Sequence, residues 1–155
     1  MPTCPTTWPS TCADCLATQW NAPVRGAAVM YQGAPGDHGV RALNVAGCLA
    51  LVGGAAGLDC AKKLEIAEAC ELAACNANCP VTDSASFQPW AACVTSVDSA
   101  ACRPYSAPAT TCIMAEGMTE AGASRCGLPL MTFEMSFLAI ASVLCGGGSS
   151  DAGTD

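Results

Sequence analysis

The chain has 155 residues, 13 of them cysteine, and its 6 Lys and Arg against 13 Asp and Glu give a formal net charge of −7. So few cations exclude a nucleic-acid surface, which needs clustered Lys and Arg to displace counterions from phosphates, and a polybasic membrane-surface segment. No run of about 18 uncharged apolar residues offers a membrane span, and an apolar content of 52% excludes disorder for most of the chain.

Residues 1–11 hold three prolines, four threonines and a serine and form an irregular, extended lead-in. Ser10 and Thr11 then offer an N-cap hydroxyl to a short helix over Cys12 to Thr18. Gly33 to Gly39 is loop chemistry, and it carries His38, the single histidine. A helix is expected from about Val40 to Val52 through Leu43, Val45, Cys48 and Leu49, with Gly53 and Gly54 ending it. The clearest helix runs from Ala61 to about Ala77, with Asp59 as its cap. On a wheel of 100° per residue, Cys70 shares a face with Ile66, Ala69, Ala73, Ala74 and Ala77, and that face is assigned to the core. Glu65, Glu68 and Glu71 take the other side as a solvated charge stripe. Cys75 and Cys79 project from that glutamate side toward a second segment, together with Leu64 and Leu72.

Pro80 stops this helix. After a polar connection, Phe87, Trp90 and Ala91 mark a helix over Phe87 to Val97, with Trp90 in the core. A further helical piece spans Ala107 to Met118 and breaks near Gly117 and Gly122. Phe133, Phe137, Ile140, Ala141 and Leu144 recur at helical spacing in the last helix, which Cys145 and the following glycines close. The domain is thus expected over residues 1–145, and residues 146–155 read as a flexible Gly/Ser/Asp linker or tail.

Cysteine at about one residue in twelve is the level of disulfide scaffolds. Cellular reductants keep cytosolic thiols reduced, so this usage predicts an extracytoplasmic protein. Met1-Pro2-Thr3-Cys4 has neither a charged start nor an apolar export segment, and the expectation is that an export signal has been removed. An odd count permits at most six bridges. Cys12, Cys15, Cys48, Cys60, Cys70, Cys75, Cys79, Cys93, Cys102, Cys112, Cys126 and Cys145 are the bridge candidates, with connectivity open, and Cys4 is the candidate for the unpaired thiol.

Each sharper motif has a plainer reading beside it. Cys12 and Cys15 have the C-x-x-C spacing of dithiol redox sites, but no βαβ pattern surrounds them, so two structural cysteines are the reading taken. His38 beside Asp37 has no activated Ser or Cys tied to it and reads as a solvated loop residue. Trp8, Trp20, Tyr31 and Tyr105 are too scattered for a ligand cage. Cys75 and Cys79, four apart, match the thiolate spacing of a Cu(I) store and are the alternative metal site, although the wheel turns Cys70 away from them. No catalytic residue, cofactor or resident metal is expected.

The run Cys75-x3-Cys79-Pro80, Phe87-x2-Trp90-x2-Cys93, Cys102-x2-Tyr105 and Cys112, with an aromatic helix before Cys145-Gly146, resembles cysteine-rich extracytoplasmic domains of GC-rich bacteria, often lipoproteins. The resemblance covers about residues 48–146. It implies location and fold style, and no activity. The expected fold is all-α, a small bundle of short helices stapled by five or six disulfides with irregular Pro/Gly-rich connections. Its expected function is a non-catalytic structural or protein-binding module, with a protein partner or larger assembly, no nucleic acid and no transmembrane segment. The alternatives are thiol-rich Cu(I) binding and a C-x-x-C dithiol redox protein.

Overall fold

A computed structural model describes residues 15–19, 21–30, 41–81, 85–119, 121–128 and 132–145 of the chain. The expectations for the lead-in, Cys4, Cys12, His38, Trp8, Trp20, Tyr31 and the tail 146–155 lie outside these residues.

A small sheet precedes the helices. Strand β1 (Ala17–Gln19) pairs in parallel with β2 (Ala28–Met30), and β2 pairs antiparallel with β3 (Arg41–Leu43), setting Ala28 opposite both Ala17 and Leu43. Strands of three residues are too short to carry a period-two alternation, so they escape a periodicity reading. The helix expected from Val40 therefore starts later, because Asn44 is its cap. The Asn44 side chain accepts a hydrogen bond from the Gly47 backbone N–H at 2.9 Å and donates one to the Arg25 carbonyl at 3.1 Å. Its own backbone N–H donates to the Ala27 carbonyl at 2.9 Å. One buried side chain thus ends the strand, begins the helix and holds the loop before β2.

The helices are α1 (Val45–Val52), α2 (Gly54–Cys75), α3 (Phe87–Asp98), α4 (Arg103–Glu116) and α5 (Phe133–Leu144), with a wide π-type turn at Ala121–Arg125 before the last. The fold is mostly helical. Gly53 and Gly54 make a corner between two helices rather than an end to helical structure. Gly54 has φ of 58°, a conformation that L side chains resist, and Gly57 lies so close to the Leu49 carbonyl oxygen that a Cβ would collide with it. Asp59, read as a cap, therefore lies inside α2 and pairs with Lys63 one turn on. Helix α4 begins at Arg103 rather than Ala107, with Pro104 in its first turn, where the missing N–H costs nothing. In α5, Thr132 caps by accepting from the Met135 N–H at 3.3 Å, and the predicted apolar stripe buries Ile140 and Ala141.

Five disulfides join these elements. Three leave α2: Cys60–Cys112 to α4, Cys70–Cys102 to the start of α4, and Cys75–Cys93 to α3. Cys48–Cys126 ties α1 to the segment after the π-type turn, and Cys15–Cys145 ties the start of the described chain to the end of α5. The sulfurs sit within the core: Cys48, Cys60 and Cys126 cluster with Ala27, Leu49, Leu128 and Ile140. A smaller cluster of Val29 and Leu72 is flanked by Ala42 and the half-buried Trp90.

The deeply buried face of α2 is the glutamate side, where Leu72 and Cys75 meet a second segment as expected, and not the Cys70 face assigned to the core. Cys60, Ala61, Ala67, Leu72 and Cys75 are buried, Ile66, Ala69 and Ala73 are exposed, and Cys70 lies at the boundary, half-buried. Alanine on both sides gives this helix little hydrophobic contrast, so three bridges and the small residues at Gly57 and Ala61 decide which side faces inward. Cys79, expected in a bridge, is instead a half-buried free thiol. The helix stops at Cys75 and the backbone turns through residues 76–78, so Cys79 leaves the face on which Cys75 meets Cys93.

Candidate functional site

Reversing α2 turns part of its acidic stripe inward. Glu65 is exposed, whereas Glu68 and Glu71 line a cleft of about 470 Å³ bounded by the sheet, α2, the end of α3 and α4. The floor is apolar, built by Leu64, Ala67, Ala109 and Ile113. Its charged groups are Arg25, Glu68, Glu71 and Asp98. The solvated charge stripe expected of the three glutamates therefore holds for Glu65 alone.

Arg25 reaches across from the loop before β2 and its Nη1 donates to Glu68 Oε2 at 2.8 Å, with both side chains a little under one-third exposed (29% and 28%). Its backbone carbonyl is the one held by Asn44, which positions the guanidinium from below. Glu71 is different. Burial, then the charge of Asp98, a hydrogen bond to Asp98 and the charge of Glu68 raise its carboxyl from the ordinary 4.5 to about 7. Asp98 is the last residue of α3, and its Oδ1 is fully buried without an N–H or hydroxyl donor. Two ionised carboxylates cannot hydrogen-bond, so a hydrogen bond between Glu71 and Asp98 requires a proton on one of them. The Ser106 hydroxyl, from α4, donates to the Asp98 backbone carbonyl at 3.0 Å and fixes the end of α3 at the cleft.

Chemically, the arrangement sets the raised carboxyl of Glu71 and the Asp98 side chain beside an Arg25–Glu68 ion pair. The hydroxyls among the lining residues, Ser106 and Thr110, donate to the backbone carbonyls of Asp98 and Ser106 at 3.0 and 2.9 Å.

The other candidates are dispersed. Cys15 is bonded to Cys145, so it is not available as the second thiol of a Cys12–Cys15 redox pair. Cys75 is bonded to Cys93, which removes the Cys75/Cys79 thiolate pair of the copper alternative and leaves Cys79 alone. Among the described residues no group of three or more His, Cys, Asp or Glu side chains is placed to hold a metal ion. Trp90 stacks with Phe87 at a centroid distance of 6.0 Å, and Tyr105 is exposed. Sequence reasoning missed Arg25, Asn44 and Asp98, none of which sits in a motif. The one signal for Glu71 and Asp98 is position, since each falls close to cysteines that bridge the same two segments.

No family model, curated protein or solved structure matches the chain.

Proposed function

We propose that the chain is a non-catalytic extracytoplasmic module that presents a disulfide-locked helical surface to a protein partner, in the manner of the cysteine-rich bacterial domains it resembles. The observation that carries this reading is the use of sulfur. Ten cysteines are joined in five bridges, each linking segments distant in sequence, which is stable only where thiols are not kept reduced. No described helix is long and apolar enough to cross a membrane. Large apolar side chains on the outer side, among them Leu51, Leu58 and Ile66, stay exposed and supply contact area for a partner.

The test is a thiol titration of denatured, unreduced protein recovered from an oxidising compartment. No more than three free thiols are expected, from Cys79 and from Cys4 and Cys12. A titre near the full 13 overturns the reading. Robust turnover in an untargeted hydrolase or oxidoreductase screen overturns its non-catalytic part.

A further inference from the structure

We propose that Glu71 and Asp98 form a proton-operated clasp: sharing one proton they tie the end of α3 to α2 beside the cleft, and with both ionised they loosen that end.

The argument begins with covalent confinement. Bridges Cys70–Cys102 and Cys75–Cys93 close a ring from two chain segments, residues 70–75 of α2 and 93–102 of α3 and the turn after it. Glu71 lies on one segment of this ring and Asp98 on the other. The bridged Cα atoms are 5.8 and 5.9 Å apart, so the helices cannot part to relieve repulsion between the carboxylates. What remains is to bind a proton or to yield locally. The yielding element is the turn after α3, held by the Ala100 and Cys102 N–H groups donating to the Val97 carbonyl at 3.1 and 2.7 Å.

The surroundings favour the proton. On α2, Glu68 adds a second negative charge one turn before Glu71, and Arg25, from the loop before β2, is engaged with it at 2.8 Å. From α4, Ser106 and Thr110 offer hydroxyls, and Arg103 lines the adjoining groove on the other side of Asp98. From the sheet come Val29 and Ala42, which carry no charge. The Oδ1 of Asp98 is buried and accepts from no N–H or hydroxyl, which leaves it open to a proton brought by Glu71. The upward displacement of the Glu71 carboxyl to about 7 agrees with this geometry and puts the change near neutral pH.

The experiment is backbone hydrogen exchange on the fully oxidised protein, read at Ala100 and Cys102 and corrected for intrinsic rates. In the wild type, protection is expected to fall at least about tenfold between about pH 5.5 and about pH 8, since a unit of pKa difference is a factor of ten and partial exposure screens the rest. Glu71→Gln, whose amide donates to Asp98 at every pH, is expected to abolish the dependence, and Asp98→Asn serves as the second variant if the first does not fold. Carbon-13 titration of the Glu71 carboxyl reads the proton itself. Protection independent of pH in the wild type, the same pH dependence in the wild type and the variants, or a Glu71 midpoint near the ordinary 4.5 overturns the proposal.

Discussion

Replacing both ends of the Cys60–Cys112 bridge by alanine tests how the disulfides share the work of holding the helices. Taken alone, the bridge closes a span of 52 residues, and the loop-entropy relation gives it about 4 kcal/mol. It is not alone. Cys70–Cys102 already joins the same stretches, so the loop that Cys60–Cys112 still closes is about twenty residues, ten from Cys60 to Cys70 and ten from Cys102 to Cys112. That shorter loop corresponds to about 3 kcal/mol. Cys60 is in the core, so truncation also removes packed sulfur, and the total loss expected is about 3–4 kcal/mol. Equilibrium urea unfolding of the oxidised protein, followed by circular dichroism, measures it as a lower midpoint. In a background already lacking Cys70–Cys102, Cys48–Cys126 and Cys75–Cys93 still shorten the loop, the former to about 26 residues (twelve from Cys48 to Cys60 and fourteen from Cys112 to Cys126), so the same double substitution should cost only about 0.2 kcal/mol more. A loss below about 1 kcal/mol, or a loss that rises by about 1 kcal/mol or more in the second background, refutes the nested-loop reasoning.

Other perturbations probe the corner, the cap and the carboxyl pair. Gly57→Ala drives a Cβ into the Leu49 carbonyl oxygen and should lower stability by about 1–3 kcal/mol in the same urea assay. Asn44→Ala removes the cap of α1 and the donor to the Arg25 carbonyl, and a loss of about 1–2 kcal/mol is expected by thermal unfolding. Because the folded carboxyl of Glu71 is raised from 4.5 to about 7, its contribution is fully present below pH 4.5 and is lost as pH rises through about 7. The unscreened shift is about 3 kcal/mol, which solvent at a half-buried side chain reduces to about 1–2 kcal/mol. Glu71→Gln should therefore remove that decline in urea stability between acid and alkaline pH and be the more stable protein above neutrality.

The sequence carries the helices more clearly than their faces. Aromatic and aliphatic residues at Phe137, Ile140 and Ala141 announce α5, because large side chains at helical spacing have one way to be buried together. Helix α2 is equally visible, but its orientation is not. Ile66, Ala69 and Ala73 make a stripe that looks internal and is exposed, while Glu68 and Glu71 point into a cleft where an arginine and a shared proton offset their charge. Counting every glutamate as solvated is what inverts the wheel. The corner at Gly53–Gly57 reads as a stop because the same glycines serve to end a helix or to let two helices meet. Cysteine spacing shows that bridges exist and not which ones, since pairing is decided by where the helices pack. The carboxyl cleft draws Arg25, Glu71 and Asp98 from three separate elements, and no local pattern brings them together.

The Cys15–Cys145 bridge also changes how the chain bears mechanical load. Tension applied from outside residues 15 and 145 passes through one sulfur–sulfur bond instead of through the 130 positions between them. About 430–470 Å of extended contour is thereby withheld from stretching. Pulled from either side, this domain behaves as a short inextensible link, and its helices can be drawn out only after a reductant has cut that shortcut.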